Sequence, residues 1–220
     1  MKVEDIISHV DHTLLKAAAS WEEIRKLCDE AVKYQTASVC VPSSSVKKIR
    51  ENYPRLTICT VVGFPLGNGN SESKVEETIH ALDDGADEID MVINLGDAKQ
   101  GDFHSITEEI KALKAVCGDK ILKVIIEACF LTNEEKIELC HCVTNGGADF
   151  IKTSTGFGSG GATLEDVQLF KKYIGPSVQI KAAGGIRSVE AMKAYIEAGC
   201  TRIGASAAVG LLKNRLNETV

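Results

Sequence analysis

Three lysines sit inside runs of apolar, strand-forming residues: Lys123 in ILKVIIE, Lys152 in DFIKT and Lys181 in VQIKA. A lysine there must keep its head in water or find a partner, because an unpaired buried ammonium is costly. Any one of them alone reads as a snorkelling or salt-bridged side chain. Three together, with Asp90 in DEIDMVI and Glu127 closing ILKVIIE as counter-charges, read as a reactive cluster. A lysine stripped of water and crowded by other cations gives up its proton more easily, and the neutral amine can attack a carbonyl to form a Schiff base. The imine acts as an electron sink, so a C–C bond β to it can break while a nearby acid/base group takes the hydroxyl proton. Such chemistry requires no cofactor and no metal.

A second feature competes for attention around Lys152. In FIKTSTGFGSGGAT, Gly156, Gly158 and Gly161 satisfy G-x-G-x-x-G after an apolar run. A dinucleotide fold would place an acidic residue about twenty positions on, at the end of the next strand. That strand is VQIKAAGG and carries Lys181. The dinucleotide reading fails there, which leaves the glycines to bring a loop close to a ligand phosphate and Lys152 to carry the chemistry. A metal centre would want several histidines at strand ends, but His9, His80, His104 and His141 are scattered and only His12 is well placed. GFGSGGA lacks the nucleophile-elbow pattern of serine hydrolases.

These residues need elements to hold them. Short Val- and Ile-rich runs alternate with amphipathic segments, the pattern of β-α units around a parallel sheet. Strands are expected at 9–15, 37–41, 56–62, 87–93, 121–127, 149–153, 178–182 and 201–205. Helical patterns such as WEEIRKLCDEAVKY, SVKKIRENY, ESKVEETIHALDDG and FHSITEEIKALKAVCG lie between them, several ending in Gly. Eight strands in 220 residues, without a linker or change of composition, predict an α/β fold: a single (β/α)8 TIM barrel over 1–220 with a short N-terminal helix. In that fold the site lies at the C-terminal strand ends, and phosphate is often held after strands seven and eight. Asp11, Cys40 and Asp90 then come from strands one, two and four, Lys123 and Glu127 from strand five, and Lys152 and Lys181 from strands six and seven. Period-2 alternation puts Lys123 and Glu127 in one lumen-facing row. Because a carboxylate favours the charged form of a neighbouring lysine, Asp90 and Glu127 are expected nearer Lys181 or Lys123 than Lys152. The turns AAGGIRS and GASAAVG offer backbone N–H groups at Gly184, Gly185, Gly204 and Ser206, with Arg187 nearby, as a phosphate cradle.

The formal charge of −6 and the absence of a basic block argue against a nucleic-acid partner, and no segment resembles a membrane anchor. The first residues lack a long apolar core, so a cytoplasmic location is expected. Eight cysteines mostly inside apolar runs read as reduced core residues. In NEEKIELCHCVTNGG, Cys140 and Cys142 stand two apart on a helix and do not share a face, against a metal pair.

The stretches DHTLLK, SVCV, VVGFPLG, DEIDMVIN, LKVIIE, FIKTSTGFG, IKAAGGIR and IGAS make the chain resemble the deoxyribose-phosphate aldolase family along essentially its whole length. The resemblance implies a metal-free class I aldolase that splits 2-deoxy-D-ribose 5-phosphate into D-glyceraldehyde 3-phosphate and acetaldehyde. It makes Lys152 the Schiff-base lysine, Lys181 its electrostatic activator and Asp90 the acid/base group acting through water. Phosphate would be held around Gly156, Gly184, Gly185, Arg187, Gly204 and Ser206, with Asp11, Cys40, Lys123, Glu127 and Thr155 as further substrate or phosphate contacts. Its partners are then a small sugar phosphate and acetaldehyde, with a homodimer or homotetramer left open. Two positions depart from the pattern: Phe157 stands where some members have a phosphate-binding Lys, and the chain ends NRLNETV where some end in a mobile tail with a terminal Tyr. The residues by themselves leave two rivals, another imine-forming or phosphate-binding barrel enzyme and a non-catalytic sugar-phosphate sensor.

Overall fold

The computed structural model describes residues 1–220. All eight expected strands form: β1 (Val10–Thr13), β2 (Ser38–Val41), β3 (Ile58–Val62), β4 (Glu88–Val92), β5 (Ile121–Ile125), β6 (Phe150–Lys152), β7 (Gln179–Ala183) and β8 (Arg202–Ala205). Each pairs in parallel with the next and β8 returns to β1, closing a (β/α)8 barrel. The helices are α1 (Val3–Ile7), α2 (Trp21–Tyr34), α3 (Val46–Asn52), α4 (Ser71–Asp83), α5 (Leu95–Gln100), α6 (Phe103–Cys117), α7 (Asn133–Asn145), α8 (Leu164–Tyr173), α9 (Val189–Ala198) and α10 (Ala208–Leu212). The helix starts follow from the sequence: Ser20 with Glu23 and Thr132 with Glu135 form reciprocal capping boxes at α2 and α7.

Alternation along the strands sorts the side chains. Outward residues such as Ile89 and Met91 of β4 join a buried apolar layer between barrel and helices. Inward residues are of another kind: Asp11, Glu88, Asp90, Lys123 and Lys181 are all almost wholly buried, and the apolar lumen is reduced to a small cluster of Cys40, Cys59 and Val61. Register brings these groups side by side, with Asp90 opposite Lys123, Lys152 opposite Lys181 and Cys40 opposite Cys59.

The observed strands are shorter than the apolar runs that announced them. β5 stops at Ile125, and Glu127 beyond it adopts a left-handed backbone (φ 49°), a conformation uncommon for any residue but Gly, Asn or Asp. The short N-terminal helix α1 buries Val3, Ile6 and Ile7 just before β1. Residues 218–220 lie against its start: Val3 N–H donates to the Glu218 carbonyl and the Met1 amine to the Val220 carbonyl. These last residues are therefore tied to the N-terminal end of the barrel. The eight cysteines are all free and, except for half-buried Cys129, buried. Cys140 and Cys142 pack inward from α7, with His141 exposed between them. No helix is long and apolar enough to cross a membrane.

Candidate active site

The lumen holds one continuous ion cluster centred on Asp90. Its Oδ1 accepts from Lys123 Nζ at 2.8 Å and from the Cys59 thiol at 3.1 Å. Its Oδ2 accepts from both Lys152 Nζ and Lys181 Nζ, each at 2.7 Å. Lys181 also meets Asp11 Oδ2 at 2.5 Å, and Lys123 meets Glu88 Oε2 at 2.7 Å. Arg202 grips both Glu88 oxygens (2.8 and 2.9 Å) and Asp11 Oδ1 (2.7 Å). Asp90 is thus no farther from Lys152 than from Lys181. The expectation that Asp90 would favour Lys181 or Lys123 is corrected: strand register sets the two lysines side by side, and one carboxylate oxygen spans both.

These contacts bias protonation. Burial alone would raise the Asp90 carboxyl, but Lys123, Lys152 and Lys181 hold it well below the usual carboxylate range. Asp11 is likewise lowered, burial being outweighed by Lys181, Lys123 and Arg202. Burial disfavours the Lys181 ammonium, yet Asp11 and Asp90 raise it above the ordinary lysine value. Asp11 and Asp90 therefore favour the charged form of Lys181. Since both ammonium groups touch the same oxygen, Lys152 and Lys181 can be no farther apart than the sum of those two contacts.

Above the cluster, at the C-terminal strand ends, opens a cavity of about 420 Å³. Lys152, Thr155, Gly156, Gly184, Gly185, Arg187, Gly204 and Ser206 line it. Of the three lysines inside strands, Lys152 alone reaches this wall, while Lys123 and Lys181 are fully buried beneath it. Asp11, Cys40 and Asp90 also lie in the buried layer and do not line the cavity. The glycines of the strand-six loop serve contact between loops. A Cβ on Gly161 would fall 2.2 Å from the Gly184 carbonyl oxygen, so only glycine lets this loop settle on the turn after β7.

Glu127 behaves differently from its expected place beside Lys123. It makes no ion pair with any lysine. Its carboxylate accepts the Thr155 N–H at 3.1 Å and the Thr155 hydroxyl, and that hydroxyl in turn accepts the Phe157 N–H. The reason is the left-handed turn at Glu127, which carries the side chain off the β5 row and beneath the strand-six loop.

Reading along the sequence missed several participants. Glu88 stands two residues before Asp90, so period-2 spacing places it in the same inward row. Arg202 and Cys59 gave no comparable signal. Lys16 and Leu15 after β1, Phe157 after β6 and Ile186 after β7 also line the cavity. Cys40, Cys59 and Asp90 have ligand-type atoms within 4.8 Å of one another, as do Asp11, Cys59 and Glu88. Their carboxylates are already engaged by four cations, an environment opposed to a further dication.

The family model for DeoC/LacD family aldolases matches residues 6–215. The chain belongs to that aldolase family. This aldolase is 59% identical over 214 residues to the deoxyribose-phosphate aldolase of Clostridium botulinum (strain Alaska E43 / Type E3), covering 97% of each chain. Among solved structures it resembles QR15, an aldolase, at a TM-score of 0.92 and 36% identity, covering 96% of this chain and 95% of that one. It also resembles the tetrameric deoxyribose phosphate aldolase of Aeropyrum pernix, at 0.87 and 31% identity, covering 96% and 91%. The aldolase family and the closed eight-stranded barrel are those expected from the sequence.

Proposed function

We propose that the protein reversibly cleaves 2-deoxy-D-ribose 5-phosphate to D-glyceraldehyde 3-phosphate and acetaldehyde through a Schiff base on Lys152. One observation carries the assignment: Lys152 alone among the three strand lysines faces the cavity, where it shares a carboxylate oxygen with Lys181. The substrate follows from the relatives' names and from the cradle of Gly156, Gly184, Gly185, Gly204 and Ser206 with Arg187 on one side of that cavity.

The neutral Lys152 amine attacks C1 of the open-chain sugar, and loss of water leaves the imine. Asp90, acting through water, takes the C3 hydroxyl proton as the C2–C3 bond breaks, and the imine nitrogen receives the electron pair as an enamine. D-Glyceraldehyde 3-phosphate departs. Protonation at C2 and hydrolysis release acetaldehyde and restore the amine. Lys181 acts as the fixed charge that competes with Lys152 for Asp90, while Asp11 and Lys123 hold that arrangement and Cys40 lines the lumen beside it. Thr155, steadied by Glu127, shapes the sugar-facing side of the cavity. In this reading residues 1–220 form one catalytic barrel, working in the cytoplasm on deoxynucleoside breakdown products without metal or cofactor. It assembles as a homodimer or homotetramer, in keeping with the tetrameric Aeropyrum pernix relative.

Borohydride treatment with acetaldehyde tests the centre of the proposal, because only an imine is reduced to a stable secondary amine. Intact mass should rise by one ethyl group, peptide mapping should place it on Lys152, and chelators should leave turnover unchanged. Label on Lys123 or Lys181 would overturn the assignment.

A further inference from the structure

The lumen encloses an uneven number of charges, and their distribution bears on Lys152. Three carboxylates, Asp11 of β1 and Glu88 and Asp90 of β4, face four cations: Lys123 of β5, Lys152 of β6, Lys181 of β7 and Arg202 of β8. β2 and β3 add only Ser38, whose hydroxyl donates to Asp11, and the thiols of Cys40 and Cys59. His12 of β1 is turned away to Glu30 on α2, and Glu127 is engaged by Thr155. One positive charge is left over.

Contacts decide where that excess lies. Lys123 touches Glu88 and Asp90, with Asp11 at 3.9 Å, and Lys181 touches Asp11 and Asp90. Lys152 has one carboxylate oxygen, and it shares that oxygen with Lys181. Arg202 and Glu88 are the first residues of β8 and β4, at the end of the barrel opposite the cavity. Arg202 therefore takes up charge on Glu88 and Asp11 that Lys123 and Lys181 would otherwise hold alone.

We propose that Arg202 is a positioning residue for Lys152: by occupying Glu88 and Asp11 it makes Lys123 and Lys181 lean on Asp90, so Lys152 is the lumen cation that most readily gives up its proton. The inference rests on the reading that Lys152 forms the Schiff base. Arg202 touches no substrate and acts through three carboxylates.

The test is the pH profile of kcat/KM for deoxyribose 5-phosphate cleavage in four variants of the full chain. Arg202→Met removes a positive charge, so the acid limb should move up by about one pH unit, seen as about a tenfold loss on the acid side with the alkaline plateau retained. Glu88→Gln removes a negative charge and should move the limb down. The double variant should return it towards the parent, and Arg202→Lys should leave it near the parent. A purely structural role would lower the plateau without moving the limb, and would not give opposite signs for the two single changes. Borohydride trapping on Lys152 at pH 9, run in parallel, reports separately on the Schiff base: no trapping in the parent defeats that reading, whatever the limbs do. Folded, trappable variants with an unmoved limb, or with both limbs moving the same way, overturn the role of Arg202. Should Arg202→Met fail to fold, the direction of the Glu88→Gln shift decides alone.

Discussion

At the scale of single residues, the site turns on one carboxylate oxygen serving two amines. Asp90 Oδ2 contacts Lys152 and Lys181 at equal distance, so each lysine weakens the hold of the carboxylate on the other. Lys181→Leu removes the competitor and gives Asp90 wholly to Lys152. Activity of this variant at pH 7.5 should fall by about a hundredfold and recover in part by pH 9.5, where alkali does what the neighbouring cation did before. A pH–rate profile parallel to the parent's would assign Lys181 another task, such as direct proton transfer. The same contacts make loss of any one lumen charge costly. Each buried ammonium has at least one carboxylate oxygen within 2.8 Å, and breaking such a buried pair by removing one partner typically costs about 3–5 kcal/mol.

At the scale of elements, the cavity is made where two loops close on each other. The loop after β6 rests on the turn after β7: Ala162 N–H donates to the carbonyls of Ala183 and Gly184, and Gly161 abuts the Gly184 backbone. Adding a methyl group by Gly161→Ala must push that turn away, because the obstacle is main chain and not a flexible side-chain tip. The proposed phosphate cradle then loses its spacing. KM for deoxyribose 5-phosphate should rise about tenfold or more, while turnover of unphosphorylated deoxyribose changes little. Equal losses on both substrates would separate this turn from phosphate binding. Glu127 steadies the other side of the same loop, its carboxylate holding Thr155 just before Gly156.

At the scale of the whole molecule, the buried titratable groups set the pH range of stability. His12 is lowered from its ordinary value, chiefly by burial. A depressed histidine contributes stability above its unfolded value near ~6.5 and loses it as pH falls through the lower folded value. Asp11 and Asp90, also lowered, contribute above about 3.9 and lose their share only as pH drops further. Lys181 and Lys123 are raised, so their contribution is complete below about 10.4 and fades as pH climbs beyond it. Thermal midpoints measured from pH 3 to 11 should form a plateau from about 7 to 10, with a shallow decline below 6.5 and a steep one below 4. His12→Phe should abolish the shallow step and leave the steep one. Persistence of both would place the first step elsewhere.

The sequence alone determined the barrel and its buried lysines, for a physical reason: strands and helices declare themselves through local periodicity, and a lysine in an apolar run contradicts its surroundings. All eight strands were legible in this way, as were Lys152, Lys181 and Asp90 as a group and the small-residue turns after β7 and β8. Only the tertiary structure decided how the charges pair. Contacts across the lumen depend on register between strands far apart in the chain, so nothing local distinguished Arg202 at the start of β8 as the partner of Glu88 in β4. The same limit hid Glu127, whose place in an apolar run suggested one more inward residue until a left-handed backbone turned it under Thr155. That Lys152 opens to the cavity while Lys123 and Lys181 lie beneath it is likewise a matter of depth in the barrel. Depth is fixed by where each strand begins and how it is staggered against its neighbours, and those quantities exist only once the barrel has closed.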